Sequence, residues 1–332
     1  MSEPLPFTQP SSVQAAAPPS ELARLGASSP SLLVVGHGSI GARHGRLAAA
    51  LGAKVAYVTS QACEPFPRYA SIAQALAETR PRHVVIANAT SYHAQALQAL
   101  ADAGFDGQVL VEKPFCGTLD EMPAMLPFQV CVAYNLRFHP LVHALRDALA
   151  ARPLHSANFY AGQYLPQWRV GTDYRASYSA NKHQGGGVLR DLSHEIDLAL
   201  WICGRARSIT AVGGHLSNLE IDSDDVYSIL SSHERCAAVA ISINYLDRTP
   251  KRVLTINARD LTATVDFVGG TLTLNDEVTV RHVERDVTYQ EQLKAFFAND
   301  PSTMCDLDGG REVMRLIAAA ETAAANRCWV CL

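Results

Sequence analysis

The stretch SLLVVGHGSIGARHGRLAAALGAKVAYVTS, residues 31–60, decides the fold. Five apolar-rich residues end at Gly36, and Gly36, Gly38 and Gly41 then form G-x-G-x-x-G. An alanine-rich segment with helical spacing runs to about Leu51, Gly52 stops it, and residues 55–58 form a second apolar run. The spacing predicts strand, glycine turn, helix and strand, the opening of a nucleotide-binding βαβ unit. The three glycines serve, in order, a tight turn, close backbone approach to a pyrophosphate, and tight packing of helix on strand. With Ser39 and Ile40 between them, they open a helix N-terminus whose free amides and positive dipole end suit a phosphate.

The end of the second strand bears on which dinucleotide would bind. NAD calls for an acidic residue there, to hold the ribose 2′-hydroxyl. Here the strand ends YVTSQ, with Thr59 and Ser60 and no acid until Glu64. Hydroxyls do not repel a 2′-phosphate, and Arg43 or Arg68 could supply its counter-charge, so the sequence favours NADP over NAD.

The alternation continues with helical spacing at 71–79, a strand at 83–87, a helix at 91–104 stopped by Gly104, and a strand at 108–114. This predicts a parallel sheet with helices on both faces. Ligands bind such sheets beyond the carboxyl ends of the strands, which is where Thr90, His93, Glu112 and Lys113 fall. In VEKPF, 111–115, the proline keeps Lys113 out of a helix. Alone, that lysine would read as a surface residue starting a loop.

After residue 129 the pattern changes. A helix at 140–150 and a strand at 155–162 lead into QYLPQWRVGTDYRASYSANKHQGGG, 163–187. Gln163, Tyr164, Trp168, Arg169 and Tyr178 belong to this segment, which serves equally as a cover for a core edge or as a stacking wall for a sugar, an anionic one included. Next comes GGGVLRDLSHEIDLALWICG, 185–204, where Leu189, Leu192, Ile196, Leu200 and Cys203 recur at helical spacing as a buried stripe. Asp191 and His194, three apart, are expected on another face of one helix, the carboxylate orienting the imidazole for acid–base work. As isolated residues they would read as a cap-region acid and a satisfied core histidine. Strand-like runs at 208–216, 225–233, 237–246, 252–258, 261–267 and 271–283 predict a large, mainly antiparallel sheet, closed by helices at about 288–299 and 310–326.

The whole chain sets the frame. Its 332 residues allow two domains, and 48% hydrophobic with 18% charged residues suits a globular protein with a sizeable core. A net charge of −4 with no long basic run argues against nucleic acid, and no apolar run approaches the roughly 20 residues that span a bilayer. Residues 1–30 hold six prolines and six serines without amphipathic period or signal-peptide pattern, and are expected to form a disordered tail. The eight cysteines are scattered, mostly in apolar segments, and the terminal CWVC has no second pair, so no metal site is expected and a reducing cytoplasm fits.

Taken in order, GHGSIGARH, ANATSYH, VEKPF, YNLRFHP, GGGVLRDLSHEID and the closing YQEQLKAFF segment resemble the glucose–fructose oxidoreductase, inositol dehydrogenase and rhizopine-catabolism (Gfo/Idh/MocA) oxidoreductases. The resemblance implies an N-terminal Rossmann domain at 31–133 and a C-terminal α/β domain at 134–332 with a large, open, mainly antiparallel sheet. It implies homodimers or homotetramers through that sheet, and hydride transfer between NADP or NAD and a hydroxyl or carbonyl of a small sugar-like substrate. By the same resemblance Lys113 would bond the reacting oxygen, and His194 would be the acid–base with Asp191 beside it. Thr90, His93, Glu112 and Asn135 would join the cofactor pocket, and Arg137, with Tyr134, would lie near its nicotinamide end and the substrate. The chain departs from the pattern in three places: Asp191 and His194 are separated by three positions instead of four, Ala89 replaces a usual proline, and the acid after the second strand is missing. The 163–187 segment also resembles bacterial enzymes of surface-sugar synthesis, such as those of nonulosonic or amino sugars. Two alternatives stay open: a cofactor-binding regulator of this fold without chemistry, and a redox-neutral epimerase or glycosidase that retains its cofactor.

Overall fold

The computed structural model describes residues 29–169 and 171–332; the tail expected at 1–30 lies, but for its last two residues, outside them. The first half alternates as its apolar periods require. β1 (Ser31–Val35), α1 (Ser39–Ala50), β2 (Lys54–Val58) and β3 (Arg68–Tyr69) are followed by α2 (Ile72–Thr79), β4 (His83–Ile86), α3 (His93–Asp102), β5 (Gln108–Val111) and β6 (Gln129–Val132). The second half holds α4 (Pro140–Leu149), β7 (Leu154–Gly162), α5 (Val188–Asp191), α6 (Ser193–Cys203), β8 (Ala206–Gly214), β9 (Val226–His233) and β10 (Ala238–Asn244). β11 (Lys251–Ala258), β12 (Leu261–Asp266), β13 (Thr271–Leu274), β14 (Glu277–Val280), α7 (Val287–Ala298), β15 (Cys305–Asp306), α8 (Leu307–Asn326) and β16 (Val330–Cys331) complete the chain.

Two sheets result. The first has the order β15-β6-β5-β4-β1-β2-β3, with β1 to β6 parallel and β15 antiparallel at the edge. Strand order reverses between β4 and β1, which opens a crevice over their carboxyl ends. The second has nine strands, β14-β13-β12-β11-β7-β10-β9-β8-β16, antiparallel except for β7 beside β10. Along β10, Val239, Ile241 and Ile243 are buried while Ala240, Ser242 and Asn244 are not, so one face takes the helices and the other stays open.

The run at 271–283 is not one strand. Asn275 adopts a left-handed backbone (φ 54°) and folds it into the β13–β14 hairpin, a conformation asparagine tolerates better than most side chains. Nor do the two halves of the chain keep to themselves. Leu293 and Phe296 of α7, with Met304, pack on Leu32, Val34, Leu47 and Tyr57 of the first half. β15 extends the first sheet, and α8 packs against both β6 and β8. A continuous apolar core runs from Leu33, Val84 and Ile86 through Ile196 to Leu254 and Ile256.

Candidate active site

The glycine turn lies at the head of the crevice. Gly36 has φ +100°, and a Cβ there would sit 2.7 Å from the Asn88 amide nitrogen. A Cβ on Gly41 would sit 2.3 Å from the Gly36 carbonyl oxygen. Both glycines are thus required by protein packing alone. Gly38 differs: nothing lies within 4 Å of where its Cβ would be. It caps α1, no side chain caps the helix, and the first turn holds no acid, so the amides of the first turn face open space. A phosphate fits this cradle, and the residues present suit a dinucleotide.

Around the far end of the cradle, Thr59 Oγ1 accepts from the Gln61 amide at 3.1 Å, and Arg68 donates to the Ser60 carbonyl at 3.2 Å. The other candidate cation, Arg43, reaches Asp286 at 3.3 Å and stacks 5.1 Å from the Tyr289 ring centroid. Arg68 is therefore the cation beside Thr59 and Ser60, and Arg43 is tied to the segment leading into α7.

At the end of β5, buried Glu112 is joined to His44 of α1 at 2.6 Å. Lys113, joined to Pro114 by a cis peptide, donates from Nζ to the backbone carbonyl of Asp191 at 2.7 Å. That contact brings the two informative motifs of the sequence together across the domains. Asp191 ends α5 and His194 starts α6, because the helix breaks at Leu192 (φ −101°, ψ 31°). The expectation of one helical face carrying both residues is thereby corrected. The Asp191 carboxylate accepts from the Tyr245 hydroxyl at 2.7 Å, and no hydrogen bond joins it to His194 among the described residues. Burial, and then the neighbouring Asp191 carboxylate, push the Tyr178 and Tyr245 hydroxyls well above the ordinary tyrosine range.

His194 is buried, its Nδ1 has no partner, and its ring meets that of Tyr134 edge-on at 5.6 Å. Burial, then the charges of Lys113 and Arg252, hold the imidazole well below its ordinary pKa. The imidazole is thus held in its neutral form near pH 7. Lys113 and Asp191 meet beyond the carboxyl end of β5, next to the His44–Glu112 contact with α1, and His194 begins the helix that follows Asp191.

Most of the other predicted site residues are engaged by protein partners. Asn135 donates to Thr288 Oγ1 at 2.6 Å, which ties α7 to the turn that follows β6. Arg137 makes a buried fork to Asp197 at 2.7 Å and donates to the Met304 carbonyl, which leaves its guanidinium occupied by protein. His93 is fully enclosed between the carbonyls of Asn88 and Phe115, one of which accepts from its single N–H, so it braces the pocket wall. In the aromatic segment, the Trp168 indole donates to the Gln163 carbonyl and packs edge-on against Tyr245 at 5.1 Å. Tyr164 carries the Arg248 guanidinium at 3.5 Å, and Arg169 is exposed. Sequence reasoning missed Tyr245 and Arg252. Arg252 did leave a signal: it shares the inward parity of Leu254 and Ile256, where a charge needs a reason.

Among the described residues no helix is long and apolar enough to cross a membrane, and no cluster of three or more ligating side chains could hold a metal ion. Residues 31–129 match the family model described as the oxidoreductase family, NAD-binding Rossmann fold, and residues 151–273 match the GFO/IDH/MocA C-terminal domain. The chain is similar to the solved structure of GenD2 from gentamicin A biosynthesis in complex with NAD, at 20% identity over 96% of this chain and 99% of that one, with TM-score 0.76. It is similar to the WlbA dehydrogenase from Bordetella pertussis in complex with NADH and UDP-GlcNAcA, at 18% identity over 92% and 99%, TM-score 0.76. It is also similar to UDP-N-acetylglucosamine 3-dehydrogenase GnnA from Acidithiobacillus ferrooxidans, at 22% identity over 90% and 99%, TM-score 0.75. At such identities the likeness is one of fold. No curated protein matches the chain.

Proposed function

The chain belongs to the Gfo/Idh/MocA oxidoreductases, with their NAD-binding Rossmann domain followed by the family's C-terminal domain, and from that premise we propose that it moves hydride between a nicotinamide dinucleotide and a hydroxyl or carbonyl carbon of a sugar or sugar-derived substrate. The observation that supports this reading is the contact of Lys113 with Asp191 at the head of the helix that carries His194. A sugar is the substrate class favoured by the tyrosines beside Asp191 and His194 and by the sugar substrates named for similar folds, with bacterial surface-sugar synthesis as its setting.

When bound, the nicotinamide supplies the hydride acceptor or donor. In the oxidative direction the neutral His194 imidazole takes the hydroxyl proton. The Lys113 ammonium, fixed by the Asp191 carbonyl, stabilises the developing alkoxide, a charge that exists mainly in the transition state. Asp191, held through Tyr245 and Tyr178, shapes the site around the reacting carbon.

We propose NADP as the preferred cofactor, since Thr59, Ser60 and Arg68 cluster where the 2′ substituent would lie. A fluorescence titration with NADPH and NADH tests both statements. Tight NADPH binding with weak NADH binding is expected. The reverse order would overturn the NADP preference, and binding of neither would overturn the dehydrogenase reading. We also propose a homo-oligomer assembled on the open face of the nine-stranded sheet, in the cytoplasm.

A further inference from the structure

Glu112 is a buried acid beside the lysine that the mechanism relies on, yet it is not that lysine's counter-ion. Consecutive side chains at the end of a strand point opposite ways. Lys113 accordingly reaches the Asp191 carbonyl at 2.7 Å, while Glu112 turns to α1. Both of its carboxylate oxygens are engaged: Oε1 accepts from His44 Nε2 at 2.6 Å, and Oε2 from the Lys113 amide at 3.2 Å. Glu112 is 8% exposed and His44 0%.

Packing alone does not account for the pair. The Nδ1 of His44 has no partner among the described residues, and its ring meets that of Tyr289 edge-on, with centroids 5.8 Å apart. A buried carboxylate and a half-satisfied imidazole are costly, and apolar side chains of similar size would join α1 to β5 as firmly. What the polar pair adds is direction, since a short hydrogen bond fixes an angle as well as a distance. The contacts run on without a break: His44 of α1 holds Glu112, Glu112 holds the Lys113 amide, and Lys113 Nζ holds the end of α5. The head of that same α1 carries the glycine cradle. Cradle and ammonium otherwise belong to strands that do not touch, since β4 lies between β1 and β5.

We propose that His44 is a positioning residue for Lys113: acting through Glu112, it fixes the ammonium relative to the glycine cradle, so that a phosphate in the cradle steadies Lys113 before any substrate arrives. The proposal rests on the reading of Lys113 as the group that meets the reacting oxygen, and it gives the buried pair a purpose. A dinucleotide held by its phosphates presents its reacting end some way off, and a misplacement of about 1 Å between that end and a catalytic group is costly.

The test uses ADP, which fills the cradle but lacks the half of a dinucleotide that would cross β4 to the end of β5. Amide hydrogen exchange of the full chain is followed by mass spectrometry, with and without saturating ADP, in the peptide covering residues 111–117. In the unmodified chain ADP is expected to slow exchange there by about fivefold, the low end of ordinary coupling between sites. His44→Leu should still bind ADP but lose that slowing. His44→Gln, whose side-chain amide donates to a carboxylate as the imidazole does, should restore it, which a packing role alone does not predict. Slowing that persists in His44→Leu would overturn the proposal, as would its absence in the unmodified chain or in His44→Gln. If His44→Leu does not fold, His44→Ala takes its place, and failure of both to fold assigns the pair to stability and overturns the proposal too. Failure of the dehydrogenase reading shows differently: near-normal turnover in Lys113→Met, with the ADP effect intact, removes the chemistry of Lys113 and leaves the coupling. ADP that does not bind the unmodified chain at all overturns the cradle, and the proposal with it.

Discussion

Lys113 is held by a backbone carbonyl, so its ammonium is placed without being neutralised. Lys113→Met should therefore keep nicotinamide binding and lose turnover by about a hundredfold or more, the usual cost of removing one oxyanion donor. Near-normal turnover, measured with any sugar that gives a nicotinamide absorbance change, would sink the assignment. The buried histidines make a second prediction, about acid. Burial lowers the pKa of His83, His93, His194 and His233, and burial with the charges of Arg281 and His143 lowers that of His139 to about 4. Their unfolded counterparts titrate near 6.5, at about the ordinary value. Depressed folded pKa values mean stability that is complete above that point and is lost as pH falls towards 4. The melting temperature should accordingly be flat from pH 7 to 8 and should drop between about 6.5 and 4. In His139→Asn the drop should be smaller, since asparagine can still cap α4, as His139 does towards Leu141, but does not titrate.

At the scale of the element, the glycine turn separates ligand from architecture. A valine Cβ at position 38 has no protein atom within 4 Å, so Gly38→Val should leave the fold and melting temperature nearly unchanged while dinucleotide binding weakens at least tenfold. Gly41→Val presses on the Gly36 carbonyl and should unfold or strongly destabilise the chain. Equal dinucleotide affinity in Gly38→Val, read by nicotinamide fluorescence, would show that no phosphate uses the cradle. This turn was the most legible part of the sequence, because glycine spacing, helix start and strand period all point the same way. The helix at 185–204 was legible as apolar periodicity but its break at Leu192 was not, since leucine is a good helix former and the cause is tertiary: Lys113 takes the Asp191 carbonyl and Tyr245 takes its side chain. Arg137 and Asn135 could be read as ligand groups because a side chain's partner lies far along the chain, at Asp197 and Thr288, where no local period records it.

Across the whole molecule, the open face of the second sheet carries a largely uncharged surface, with Val212 71%, Leu230 56% and Trp329 60% exposed on or beside β8, β9 and β16. Apolar exposure of this kind suits a second copy. Sedimentation should find a dimer or tetramer in the native chain, and Leu230→Glu should shift it towards monomer; a monomer throughout would exclude assembly on this face. The first sheet raises a different matter. Its edge is finished by β15 and its core is covered by α7, elements encoded roughly 150 residues or more after β6. On the ribosome, the nucleotide-binding half must therefore wait, with apolar surface uncovered, until residues 287–306 have emerged. A product whose synthesis stops early would lack the closing strand of one sheet and the helix that clamps both, so the cell would meet it as a client for chaperones and proteases instead of as a weak enzyme. The first sheet is thus finished by segments that follow all but the last strand of the second sheet in the chain.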